Sequence, residues 1–329
     1  MRHVHLIGRQ NLLTLGASAL HRFVHYATTI AGLPVVVARP PGADGCIPHP
    51  HIRVLLGYAS RKFKYNTIRS TLSALADWHK SKGAPTTTVS NREVDQLMAS
   101  IRTNQGPAGL PQGKEGMSTA MLKLLLAHLA SSKNWTSPMH DLLARDAAWL
   151  VVGFFGSLRR SELIALRISD VAVTPSHITI TIRRSKTDQV GAGAQVCLAH
   201  TSGSGVAIAG PIRTLLAILQ KQGAHPSSPL FPSWDYHNLC LTHAPLTNGQ
   251  ALAKRLRSFL IELKARFPEL RVNPESYGMH SLRRGGVVAA WGAGIDLEKI
   301  KAHGRWKSDA VRTYLTASLP IKLSVTSAM

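Results

Sequence analysis

The stretch from Met279 to Leu315, MHSLRRGGVVAAWGAGIDLEKIKAHGRWKSDAVRTYL, constrains this chain more than any other. Two apolar patches, Val287 to Trp291 and Ile295 to Ile300, have the look of short helices facing a core, with Gly292 and Gly294 ending the first. Around them lie His280, Arg283, Arg284, His303, Arg305, Trp306, Lys307 and Tyr314. A buried frame therefore carries cationic side chains and one tyrosine. His280 and Arg283 are three apart, which at a helix start puts both on one face. An imidazole beside a guanidinium makes a site for an anion, most naturally a phosphate, because Arg grips phosphate oxygens through a planar fork. A helix N-terminus adds its own positive end. Tyr314 closes the next helical pattern, and a phenol becomes a nucleophile once a cationic pocket helps it ionise. The competing reading of the stretch alone is a basic surface helix with a core Trp and a core Tyr.

Charge narrows the choice. Lys and Arg total 39 against 17 Asp and Glu, a formal +22 spread through both halves of the 329 residues. A folded, 44% hydrophobic chain with that excess is expected to meet nucleic acid. The low acid count argues against a two-metal nuclease, which needs several carboxylates. No apolar run reaches the roughly 20 residues of a membrane span, and the N-terminus MRHVHLIGRQ lacks a signal-peptide layout. Cys46, Cys197 and Cys240 are few and scattered, as expected of a reducing compartment without disulfides or zinc knuckles. The two His-x-His pairs, His3/His5 and His49/His51, lack the partner spacing of a metal site.

In chain order, residues 1–48 form an N-terminal extension, partly helical over Leu12 to Ile30 and broken by Pro40 to Gly45. Residues 49–104 read as a helical DNA-binding module. Asn66 or Thr67 caps its second helix, and Ser90 with Glu93 makes a capping box for the third. Arg61, Lys62, Lys64, Arg69, Lys80 and Lys82 give the module a basic face. Residues 105–117, rich in Gly and Pro, read as a linker. Residues 118–329 form a second domain with a C-terminal tail. Its helices are expected over Met121 to Leu129, Asp141 to Phe155, Ile212 to Gln222 and Leu252 to Phe267. His177 to Arg183 alternates β-branched residues as a strand does, with Ala194 to Leu198 as hairpin partner and a Pro- and Ser-rich loop further on. The fold class is thus mainly α with one small antiparallel sheet, an α+β arrangement.

The motifs then fall into an order. Leu158-Arg-Arg-Ser-Glu-Leu163 precedes Lys186 in a strand turn; His280-x-x-Arg283, Gly304-Arg-Trp306 and Tyr314 follow. This order resembles the tyrosine recombinases, the phage-type integrases, over residues 117 to 320. Gly304 to Ala310 looks most like recombinases of eukaryotic mobile elements of the Crypton and DIRS kinds. The resemblance implies a catalytic domain joined to a helical core-binding domain. It implies that Arg159 and Arg283 clamp a scissile phosphate, that Glu162 supports Arg159, and that Lys186 is the general acid to the leaving oxygen. His280 is then the first residue of the H-x-x-R pair, Trp306 fills the position held by His or Trp, and Tyr314 is the nucleophile. Arg160 and Arg284 double the two arginines, but the R-x-S-E-L and H-x-x-R spacings select Arg159 and Arg283. Trp306 to Tyr314 is one residue shorter than the common bacterial pattern, which makes His303 the alternative to Trp306.

The activity so implied is site-specific DNA cleavage and rejoining through a 3′-phosphotyrosyl intermediate, with no metal, cofactor or ATP. The alternatives are a type IB topoisomerase-like activity and an inactive or domesticated DNA-binding protein. The implied partners are double-stranded DNA, closed on by both domains, and further copies of the chain: a dimer on one site and a tetramer in the synapse. The implied location is the nucleus of a eukaryote, or otherwise the bacterial nucleoid.

Overall fold

A computed structural model describes residues 49–81, 83, 85–87, 89–109, 114–131, 137–185, 192–247 and 249–315. The chain divides into two units, Met1–Gly113 and Lys114–Met329. The N-terminal extension, Lys186 and the tail after Leu315 lie outside the described residues, as do the side chains of His49 and His51.

Among the described residues of the first unit three helices, α1 (His49–Lys62), α2 (Tyr65–Ser81) and α3 (Arg92–Gly109), pack around Ile52, Leu56, Ile68, Leu75, Val94 and Ile101. The caps differ from those expected. Neither Asn66 nor Thr67 caps α2: its first amide, Tyr65 N–H, donates to the Gln105 side-chain oxygen at 2.8 Å. Gln105 also donates to the carbonyls of Ser60 and Phe63, so one amide side chain closes the α1–α2 turn. The cap of α3 is Asn91 and not Ser90, with Val94 N–H donating to the Asn91 side chain at 2.9 Å. The helix also runs to Gly109, into the stretch expected to be linker, across a non-helical Gly106 at φ 53°. Gln105 therefore serves the packing of the first unit, which the Gly and Pro around it conceal.

In the second unit α4 (Thr119–Ser131), α5 (Ser137–Phe155), α7 (Ala209–Lys221), α8 (Gln250–Arg266) and α9 (Met279–Gly292) surround one core containing Leu122, Leu125, Trp149, Val152, Leu215, Leu256 and Leu282. The short α6 (Arg160–Ile164) follows α5, and α10 (Leu297–Gly304) follows α9. A three-stranded antiparallel sheet has the order β1 (Val171–Val173), β2 (Ile178–Ile182), β3 (Ala194–Leu198). Ile178, Ile180 and Ile182 face the core from β2, and Ile180 pairs with Val196. The expected hairpin is thus present, with Ala194 to Leu198 as the partner strand.

The single small sheet needs correction. A second antiparallel pair, β4 (Pro232–Asp235) and β5 (Cys240–Pro245), occupies what reads as a Pro- and Ser-rich loop. Prolines sit at the paired strand ends, Pro232 opposite Pro245, where the ladder tolerates them. Inward-facing Trp234 pairs with Leu241. Asp235 closes the turn by accepting from the N–H groups of His237 and Asn238. A buried polar knot fastens this pair to the helices. Asp146 of α5 accepts from Arg145, Trp149 and Arg255, and Arg145 donates to the Pro232 carbonyl at 2.9 Å. A buried carboxylate is stable only when paired in this way.

Two glycines seat α9. A Cβ at Gly285 would lie 2.0 Å from the Met117 carbonyl oxygen, and one at Gly286 would lie 2.1 Å from that of Phe154. The helix approaches backbone to backbone on both sides, which only glycine permits. Gly286→Ala is therefore expected to lower stability by about 1–3 kcal/mol, the usual cost of overpacking. Gly292→Ala, where a Cβ meets nothing within 4 Å, is the control and should be neutral or slightly stabilising. Chemical denaturation of the two variants beside the parent checks the difference.

Candidate active site

The C-terminal end of α5, the start of α6, the start of α9 and the end of α10 meet at one place. Arg159 is the residue before α6 and has an extended backbone (φ −71°, ψ 154°). Glu162, in the first turn, reaches back to accept the Arg159 N–H at 2.8 Å and its guanidinium at 2.7 Å. This is the backward half of a capping box, with a charge pair added. Arg305 donates to the same carboxylate at 2.9 Å. Glu162 is only 2% exposed, so one buried carboxylate serves two guanidiniums. Burial raises its pKa, but the Arg159 amide, the Arg305 charge and the Arg159 guanidinium outweigh that and hold it below the ordinary 4.5.

Arg283 is 1% exposed. Its guanidinium donates to the Ser157 carbonyl and, at 2.9 Å, to the Gly304 carbonyl. It stacks 3.9 Å from the Trp306 ring centroid. Burial and the charge of Arg159 push its pKa down, while Glu162 acts the other way. Gly304 is required here, since a Cβ would fall 1.4 Å from the Trp306 ring. Ser157 holds a left-handed φ of 47°, a strained conformation that aims its carbonyl at the guanidinium.

His280 stands one residue into α9 and keeps an open face to solvent. Its ring centroid is 5.3 Å from that of Tyr314, which lies 6.0 Å from Trp306, both edge to face. Loss of water on its covered side, followed by the charges of Arg283, Arg284 and Arg159, lowers the imidazole pKa. The ring is thus inclined to be neutral. Tyr314 ends a 3-10 helix (Asp309–Tyr314) seated on a small cluster of Val287, Ile300 and Val311. Tyr277, the other nearby phenol, is held protonated: burial, with Glu115 adding, pushes it up to about 12.

Of the residues selected from the sequence, Arg159, Glu162, His280, Arg283, Trp306 and Tyr314 are brought together; Lys186 lies outside the described residues. The doubled arginines separate cleanly. Arg160 is exposed with its stem over Gly249, and Arg284 donates to the Lys114 carbonyl at 3.1 Å. His303 turns its ring to the Phe155 carbonyl at 2.7 Å, whereas Trp306 contacts both Arg283 and Tyr314. Arg305 is the residue that motif reading passes over. The signal for it is its place between Gly304 and Trp306, in a left-handed conformation (φ 59°, ψ 42°) at the C-cap of α10. Among the described residues no cluster of His, Cys, Asp or Glu is gathered as a metal ion would need.

Because the folded pKa of Glu162 is depressed, the stability it contributes is present in full above 4.5 and is lost as pH falls through its lower folded value. Glu162→Gln is expected to cost about 3 kcal/mol at pH 7, as when one partner of a buried pair is removed. Its stability should also fall less steeply than the parent's between pH 5 and the acid limit. Urea unfolding at a series of pH values measures both.

No family model matches the sequence. A curated relative, the integrase/recombinase xerD homolog of Selenomonas ruminantium, is 26% identical over 251 residues, which cover 75% of this chain. The chain spans 66% of that relative's length. In fold, the chain is similar to the XerH site-specific recombinase bound to a palindromic difH substrate, with a TM-score of 0.62 at 16% identity. The match covers 97% of this chain and 78% of that one. It is also similar to the integrase of transposon Tn1549 in complex with transposon right end DNA, with a TM-score of 0.58 at 11% identity. That match covers 99% and 95% of the two chains. The structural likenesses establish the fold as that of these recombinases, and the sequence likeness to an integrase/recombinase agrees with the order of the motifs.

Proposed function

We propose that this chain cleaves and rejoins double-stranded DNA, with Tyr314 as nucleophile. The observation that carries this reading is the gathering of Arg159, His280 and Arg283 around the Tyr314 and Trp306 rings. Tyr314 Oη attacks a phosphodiester phosphorus, forms a 3′-phosphotyrosyl ester and releases a 5′ hydroxyl. The ester keeps the free energy of the broken bond, so another 5′ hydroxyl can reverse the step. Negative charge grows on the non-bridging oxygens, and guanidiniums fixed beforehand stabilise it. His280 carries a proton or donates to the phosphate in this reading. Trp306 backs Arg283 by stacking. Lys186 would protonate the leaving oxygen. The formal charge of +22 supports DNA as partner. Dimers on one site and a tetramer across two sites complete the reading. The finer likeness to eukaryotic mobile-element recombinases rests on Gly304 to Ala310 alone.

A nicked suicide duplex traps the covalent complex, which a denaturing gel displays. The parent chain should form the adduct in EDTA, and Tyr314→Phe should bind the duplex yet form none. Arg159→Ala should lose about 10²–10³ in rate, the usual cost of one charge-stabilising donor. An adduct from Tyr314→Phe would remove Tyr314 from its role. No adduct from the parent on any cleavable duplex would favour a purely DNA-binding protein, and relaxation of supercoils without strand exchange between paired sites would favour a topoisomerase. DNA affinity should fall steeply with salt, with a log–log slope near −0.9 per phosphate contacted.

A further inference from the structure

Arg305 spans the two arginines of the site. One guanidinium arm reaches Glu162 at 2.9 Å, and the same carboxylate holds Arg159 by its backbone N–H and its guanidinium. The other arm donates to the His303 carbonyl at 3.1 Å, which folds the side chain over the end of its own helix. The neighbours of Arg305 in sequence hold Arg283: the Gly304 carbonyl accepts from it and the Trp306 ring stacks on it. The backbone of Arg305 is left-handed, where glycine is the usual helix C-cap, and Trp306 N–H closes onto the Lys301 carbonyl at 2.9 Å. A long cationic side chain thus stands at a position whose backbone favours glycine, and its side chain is mostly buried against the Glu162 carboxylate.

We propose that Arg305 is a positioning residue for strand cleavage, fixing the Arg159 guanidinium through Glu162 and tying it to the helix end that holds Arg283. This rests on the DNA-cleavage reading above. Arg159 engages both oxygens of Glu162, one through its backbone N–H and one through its guanidinium. Arg305 adds a third donor from an element far along the chain, so a shift of the carboxylate, and of Arg159 with it, must break that bond as well. Both terminal nitrogens of Arg305 are committed to protein partners, Glu162 and the His303 carbonyl. The effect of Arg305 on rate comes from where it leaves Arg159, and displacements of about 1 Å in such groups cost up to about 100-fold.

The test uses the full chain with Arg305→Gly and Arg305→Gln, each alone and combined with Glu162→Gln. The glycine variant removes the guanidinium while easing the left-handed backbone, so it keeps the experiment informative if the glutamine variant does not fold. Single-turnover adduct formation on the nicked duplex, DNA affinity and thermal melting are followed together. The expected result is a fall in cleavage rate of about 10- to 100-fold, with affinity within about twofold of the parent. The loss should nearly vanish in the Glu162→Gln background, because both changes act through one carboxylate. The charges facing Glu162 are Arg159, Arg283 and Arg305, so removing one should also move the acid limb of the rate profile to higher pH. A parent-like rate for the folded glycine variant overturns the proposal, and so does an equal loss with or without Glu162. If the parent forms no adduct, the cleavage reading fails first, and an unshifted acid limb of stability in Arg305→Gly then decides against the positioning role separately.

Discussion

Everything at the site depends on keeping a guanidinium out of water. Arg283 has surrendered nearly all its hydration, and a bare buried cation would cost several kcal/mol. The protein replaces that water with backbone carbonyls and a π face. This replacement dictates local backbone. Ser157 must turn left-handed to present its oxygen, and the α10 terminus must bring Gly304 and Trp306 within reach. The chain bends around the cation, so the position of Arg283 is set by three separate elements.

Glu162 supplies the balancing charge. It faces Arg159 and Arg305 directly and feels Arg283, so the cluster keeps net positive charge around one anion. That surplus is what an anionic reactant would meet. It also lowers the pKa of His280 beside it. The charges are held by short-range hydrogen bonds in a partly dry setting, so salt screens them less than it screens the exposed lysines and arginines elsewhere on the chain.

Much of the fold was legible because periodicity reports burial. The isoleucines of β2 and the apolar faces of α5, α7 and α8 announced themselves. The six described residues that meet at the candidate site stand in motifs that are local in sequence. What escaped detection was set by long-range partners. Gln105 caps a helix forty residues earlier, and no propensity encodes that. The β4–β5 pair hides behind prolines whose harmless place at strand ends appears only once the register is known. Arg305 carries no turn signature, since its left-handed backbone is stabilised by the buried pair it makes and not by being glycine.

The two glycines under α9 have a consequence for how the molecule can change over time. A helix resting directly on neighbouring carbonyls has no compressible layer beneath it. Mutational drift along Met117 or the end of α5 is transmitted without loss to the other residues that α9 carries, among them His280 and Arg283. What α9 brings to the candidate site can therefore vary only as far as the backbone beneath it stays still.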